Sequence, residues 1–412
     1  MSGHYLLTNA RLETGFIRRN GHIQGTTTEQ FTLEIQHGKI VAIIEAGVIL
    51  PDLPEDDAQG MLLLPAMHDM HIHLDKTFYG RPWRAAKPNN EKDIFQMISL
   101  EETLLPELLA DSVQHSQQLV SLLLGHGTNV IRSHCNIDPV SGLKSLEHLL
   151  RALEPFNHQI ACEIVAFPQH GLLRSGVTGL MREALSMGCQ WTGGLDPSKV
   201  DGDMVRSLDT MISLALESHT GIDIHLHEAA RTGIPCIKYL LDRLETLPEL
   251  HGRVTLSHAY CLAQIADSQI ITLAERMAAI GVSLASGLPL GKNVMPLPLL
   301  KDYGVRLMTG TDSVTDHWSP FGTGSMLEKA NLWAQLYGRG TEYDLNRALA
   351  IATGNVLALD DSGCRVWPVS GDDASFILTH ASCSSEAVAR QTKISANYYR
   401  GQKVYSAGTD HS

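Results

Sequence analysis

The chain is short of positive charge. It has 32 Lys and Arg against 45 Asp and Glu, a formal net charge of −13, and no stripe of basic residues. Phosphate backbones are bound by such stripes, so a nucleic-acid partner is excluded. No apolar run is long enough to span a bilayer, so no membrane partner is expected. The N-terminal "MSGHYLLTNARLETG" lacks the basic stretch and apolar run of a secretory signal. The seven cysteines (Cys135, Cys162, Cys189, Cys236, Cys261, Cys364 and Cys383) are odd in number, irregularly spaced and nowhere arranged as C-x-x-C. That argues against a disulfide framework. Reduced thiols acting mostly as small core hydrophobes, in a cytoplasmic protein, are expected. Low-complexity tracts are missing too.

A rhythm of strands and helices fills the chain instead. Its 412 residues exceed what one core usually holds, the (β/α)8 barrel being the main exception. The first segment has short alternating runs, "HYLLTNARL", "FTLEIQHGKIVAIIE" and "GMLLLP", broken by Gly and Asp clusters; the last has "ASFILTHAS" and "AVARQTKISANYYRGQKVYS". Both suggest antiparallel strands that pair into one small composite β-sandwich. Between them, candidate strands "HDMHIHL", "TNVIRSHCNI", "QIACEIVAFPQ", "QWTGGLDP", "GIDIHLHE", "RVTLSHAY", "GVSLASG" and "VRLMTGTDS" alternate with helical patterns such as "DMVRSLDTMISLALESH". That alternation is the signature of an α/β chain folded as a (β/α)8 barrel. The expected division is residues 1–64 and 361–412 for the sandwich and 65–360 for the barrel.

The stretch "PAMHDMHIHLDKTF" puts three histidines and two aspartates on what otherwise reads as a buried strand. Strand ends resolve the paradox, because the C-terminal ends of barrel strands form the active-site face. His71 and His73 are two apart and share a face. His225 and His227 do the same on the fifth strand, with Glu228 following; His258 ends the sixth and Asp312 the eighth. Imidazoles with one carboxylate suit a catalytic divalent metal. One H-x-H is weak evidence, but five such groups (His71, His73, His225, His258 and Asp312), each at a C-terminal strand end, are hard to explain as packing. His134 on the second strand is either a packed residue or a neighbour of the cluster. His4, His37, His115, His158, His251 and His411 fall outside the pattern and are expected at the surface.

These pieces carry a resemblance. "HIHLDKTF", "VAFPQHG", "DIHLHE", "SHAY" and "GTDSVTDHWSPFGTGSML" occur in the order found in the amidohydrolase superfamily, and the chain resembles its cytosine deaminase branch. The resemblance implies a mononuclear site for one divalent ion, Fe2+ or Zn2+, on His71, His73, His225 and Asp312. It implies Glu228 as proton shuttle and His258 as a hydrogen-bond partner of the reacting centre. Gln169 would read the substrate's amide edge, and Trp318 would line the ring pocket. A bound divalent ion makes water nucleophilic near neutral pH. Attack on the amine-bearing ring carbon needs a proton at the ring nitrogen, which a carboxylic acid can supply.

Three departures stand out. Ala66 replaces the usual Gly, His227 stands where an acidic residue is common, and Ser313 follows Asp312 where cytosine deaminases carry a second aspartate. The shorter Ser313 suggests room for a C5 methyl, hence cytosine or 5-methylcytosine as substrate. An N-substituted triazine is the alternative. "QWTGGLDP" has no lysine to bridge two metals, which disfavours binuclear ring-opening hydrolases, and Lys199 lies beyond it. The other nucleobase deaminase fold needs H-x-E with P-C-x-x-C, which is absent. A non-catalytic scaffold would have lost ligands that are all present here. A homo-oligomer is possible on this reading.

Overall fold

The computed structural model describes residues 3–87, 93–291 and 294–408. Two eight-stranded sheets organise them. In the first, His4–Arg19 and His22–Gln36 form a long antiparallel hairpin that Lys39–Glu45 extends. On its other side Leu62–Pro65 pairs with Phe376–Thr379, followed by Ile394–Tyr399 and Gln402–Ser406. Strands from both chain ends thus join in one sheet along a single seam, Leu62–Pro65 against Phe376–Thr379. They enclose a separate apolar core that includes Tyr5, Leu33, Phe376 and Tyr398.

A single residue, Ala66, separates this sheet from the next. Pro65 pairs with Phe376, while Met67 already pairs with Thr128. The second sheet runs in chain order through Met67–Ile72, Thr128–Asn136, Ala161–Phe167, Trp191–Leu195, Gly221–Leu226, Val254–His258, Ser283–Ser286 and Leu307–Thr309, every pair parallel. These are the eight strands expected from the sequence. The barrel closes where Ile72 bridges Asp312.

The helices form where the apolar period demands them. In Met204–Glu217, Asp203 caps the N-terminus by accepting the Arg206 amide, and Leu208, Met211, Ile212 and Ala215 are buried at i, i+3, i+4 and i+7. After Asp267–Ala279, Gly281 takes a φ of 71° and turns the chain into the next strand. Two helices, Ile94–Leu109 and Ser112–Gly125, fill the first crossover. No helix of the described residues is long and apolar enough to cross a membrane.

Among the outlying histidines, His37, His158 and His251 are exposed. His115 is not: it is buried, with Nδ1 2.8 Å from the Tyr79 carbonyl and Nε2 3.4 Å from Asp111. The crossover loop folds over it, which no periodicity reveals. His411 lies outside the described residues. The cysteines are free, and only Cys364 is exposed.

Candidate active site

The site is built where the barrel closes. The Asp312 amide donates to the His71 carbonyl at 2.7 Å, and the His73 amide donates to the Asp312 carbonyl at 2.9 Å. Two strand ends that meet this closely need glycine beside them. A Cβ at Gly310 would lie 2.3 Å from the His71 carbonyl oxygen. Asp312 and His258 have φ of 63° and 69°, a left-handed backbone that costs a non-glycine residue about 1–3 kcal/mol and turns side chains inward at functional sites.

Hydrogen bonds fix the tautomers. His73 Nδ1 donates to the carbonyl of His134 at 3.1 Å, leaving Nε2 with a lone pair. Ser257 Oγ donates to Asp223 Oδ1 at 2.6 Å, so it accepts from His71 Nδ1 at 2.9 Å and leaves Nε2 of His71 free as well. Both Nε2 atoms face Asp312 Oδ1, at 3.4 and 3.5 Å. His225 packs 4.6 Å from His71, ring to ring, with Phe167 stacked on its other side at 4.0 Å. Buried His71 Nε2, both nitrogens of His225 and His258 Nε2 have no hydrogen-bond partner. Uncompensated burial of that kind is costly, and a divalent ion would compensate it.

The titration states agree. Burial, then neighbouring positive charge, pushes His73 and His225 well below the ordinary histidine range, keeping them neutral as ligands must be. His258 is likewise depressed by burial. For Asp312 burial works upward, but the surrounding imidazoles, His258 first and then His71 and His73, hold it well below the carboxylate range. His71, His73 and Asp312 form one ligand-competent group, and His71, His225 and His258 another. The residues fit a metal, with His71 common to these groups and His73, Asp312, His225 and His258 around it. His134 is fully buried 4.1 Å from the His71 ring, and its two nitrogens are unpartnered. It backs the cluster and does not line the cavity.

That cavity holds about 60 Å³ and is lined by His73, Ile94, Gln169, His225, His227, His258, Asp312, Ser313 and Trp318. At roughly 10–15 Å³ per water it has room for about four to six waters, the bulk of one six-membered ring. Gln169, from the loop after the third strand, and Ser313 and Trp318, from the loop after the eighth, meet here. Larger clefts lie elsewhere, between the sheet and the barrel, and carry none of this chemistry. Ser313 Oγ donates to buried Asp316 Oδ2 at 2.8 Å, so a carboxylate stands three residues beyond the expected position.

Glu228 follows the fifth strand, as its place in the sequence suggests, with its carboxylate held by backbone. It is buried, Oε1 accepts the amides of Ser198 and Lys199 at 2.7 and 3.1 Å, and the side chain does not line the cavity. His227 does line it. Its Nδ1 lies 3.0 Å from buried Asp196 Oδ2. Burial opposes protonation there, but the Asp196 carboxylate wins and raises the His227 pKa. Sequence reasoning left His227 without a role because its partner sits 31 residues away on another strand. It also passed over Lys76 and Glu101, a fully buried pair 3.3 Å apart. Burial favours the neutral form of each, but the charges that face Lys76, led by Glu101, raise its pKa, and Lys76 with neighbouring histidines holds Glu101 well below the carboxylate range. The "DK" after "HIHL" was the available signal.

The chain is similar to several known proteins. Residues 197–405 match the model of the Amidohydrolase family. An uncharacterized protein of Escherichia coli (strain K12), YahJ, is 52% identical over 406 residues, 98% of this chain and 88% of the other. N-isopropylammelide isopropyl amidohydrolase of Pseudomonas sp. (strain ADP) is 30% identical over 74% of this chain and 76% of its own length. Among solved structures, N-isopropylammelide isopropylaminohydrolase from Burkholderia multivorans ATCC 17616 superposes with a TM-score of 0.84 at 28% identity, covering 98% of both chains. 5-Methylcytosine deaminase from Klebsiella pneumoniae superposes with a TM-score of 0.80 at 24% identity, covering 98% of both, a likeness of fold.

Proposed function

The chain belongs to the amidohydrolase family, and from that premise we propose that it hydrolytically deaminates a small aminated six-membered lactam ring of the cytosine type. The observation that carries the reading is a cavity of about 60 Å³ in which a metal-competent His/Asp cluster, Gln169 and the Trp318 ring converge. A divalent ion held by His71, His73, His225 and Asp312 supplies the Lewis acidity that makes water nucleophilic near neutral pH.

The chain's own residues do the rest. Ionised Asp312 accepts the proton that water gives up on attacking the amine-bearing carbon. His258, at the cavity wall with Nε2 4.0 Å from Asp312 Oδ2, is placed to steady the developing charge. His227, oriented by Asp196, is the group that faces the ring and can deliver a proton to its nitrogen. Trp318 covers the ring face and Ile94 excludes water. Asp312 then passes its proton to the amine, which leaves as ammonia, and the proton of the new hydroxyl returns to His227 as the carbon becomes an oxo group.

Ser313 leaves space at the ring edge, so 5-methylcytosine is expected to react at least as well as cytosine. Ser313→Asp should lower kcat/KM for 5-methylcytosine far more than for cytosine, since overpacking costs about 1–3 kcal/mol. Equal losses would remove the steric argument. A second reading, hydrolysis of an N-alkylated aminotriazine, is favoured by the two N-isopropylammelide hydrolases at 30% and 28% identity. Such a substituent exceeds the cavity unless Ile94 and its helix move. Assaying release of ammonia and of isopropylamine from pyrimidines and triazines by the metal-loaded protein tests both. Release of neither would overturn the proposal.

A further inference from the structure

A side chain that does not line the cavity sets the orientation of Gln169. Lys76 is fully buried, and its Nζ lies 2.5 Å from Gln169 Oε1, 3.2 Å from Asn136 Oδ1 and 3.3 Å from Glu101 Oε2. An ammonium group has three donors and no acceptor, so the Gln169 atom it meets must be the carbonyl oxygen. The orientation of that amide is therefore decided from behind. Its Nε2 makes no hydrogen bond to any described residue, and Gln169 lines the cavity. What faces a bound ring is the amide N–H.

The lysine is itself held. Glu101 Oε2 also accepts Trp318 Nε1 at 2.8 Å and lies 2.8 Å from His317 Nε2, and Lys76 Nζ sits 5.9 Å from the centre of the Trp318 ring. One carboxylate thus fixes the cavity wall and the cation that fixes Gln169. The neighbouring polar group points the same way: the Ser313 hydroxyl hydrogen is committed to Asp316, so Ser313 offers the cavity an acceptor and leaves Gln169 to supply the donor.

We propose that Lys76 is the specificity-determining positioning residue of this site: it locks Gln169 as a hydrogen-bond donor, so the ring accepted carries an oxo group or unprotonated nitrogen at that edge. A ring carrying an amine there is refused. This rests on the proposed function for the ring class and deepens it, turning a bidentate amide reader into a one-way donor. A refused ring leaves a buried N–H unpaired against another N–H, which lowers affinity by about tenfold or more.

The test uses the full metal-loaded chain and two rings with an oxo group at the reacting carbon, uracil and 2-amino-4-oxopyrimidine, with Kd read by calorimetry. Wild type should bind uracil at least tenfold more tightly. Gln169→Glu keeps the partner of Lys76 but cannot donate; it should lose that preference and weaken uracil binding at least tenfold. Lys76→Met frees the amide to flip and should bring the ratio of the two affinities toward one, while Lys76→Arg should restore it. If Lys76→Met fails to fold, Gln169→Glu still decides, because a glutamine that accepted from the ring would tolerate the carboxylate. Unchanged uracil affinity in Gln169→Glu overturns the proposal, and so does a wild-type chain that binds both rings equally or neither. Absence of ammonia release with the preference intact would instead count against the proposed reaction alone.

Discussion

At the scale of single residues, two assignments can be separated cleanly. His225→Ala removes a proposed ligand whose two nitrogens have no hydrogen-bond partner. It should lose bound metal, measured by elemental analysis, together with activity; full activity without metal would end the mechanism. The proton is the second case. His227 lines the cavity, while Glu228 is bound to two backbone amides. His227→Gln should therefore lower kcat by about 10²-fold or more with metal content unchanged. Glu228→Gln should lower kcat less and act mainly on stability, since it disturbs the hydrogen bonds to Ser198 and Lys199. The opposite ranking in steady-state kinetics would return the shuttle to Glu228.

At the scale of elements, the site depends on how the first and eighth strands meet. Gly310 allows that approach, and any Cβ there would press on the His71 backbone. Gly310→Ala should destabilise the chain by about 2 kcal/mol, within the range for overpacking, and lower metal content because His71 and Asp312 separate. A denaturant midpoint and metal content equal to wild type would show that the closure is looser than this. All eight barrel strands were legible in the sequence because each pairs an apolar run with a polar end. The first crossover was not. Lys76, Glu101 and Trp318 come from three separate stretches, and their meeting depends on where the helix Ile94–Leu109 lies.

At the scale of the whole molecule, burial of imidazoles ties stability to pH. Burial lowers the pKa of His68 from 6.5 to about 4, with Arg306 adding to it. A depressed folded pKa contributes stability that is present above about pH 6.5 and lost as pH falls toward 4. The shift corresponds to about 3 kcal/mol at most. His68→Gln should therefore lose less stability than wild type between pH 7 and pH 4.5, read from urea midpoints at both values. Parallel losses would show that His68 titrates freely.

The sequence by itself determined the fold and the gathering of histidines and an aspartate at the barrel mouth. Period-two and helical patterning follow from local geometry, and histidines at strand ends are costly to bury without a purpose. It also placed Gln169, Ser313 and Trp318 at the mouth through the order of their motifs. Only the tertiary structure decided which way those groups point. Glu228 turns to the amides of Ser198 and Lys199, His227 turns to Asp196, and Gln169 is set by Lys76, each through partners at least 29 residues away in the chain. Hydrogen-bond direction depends on what lies across the barrel, and no local pattern encodes the other side.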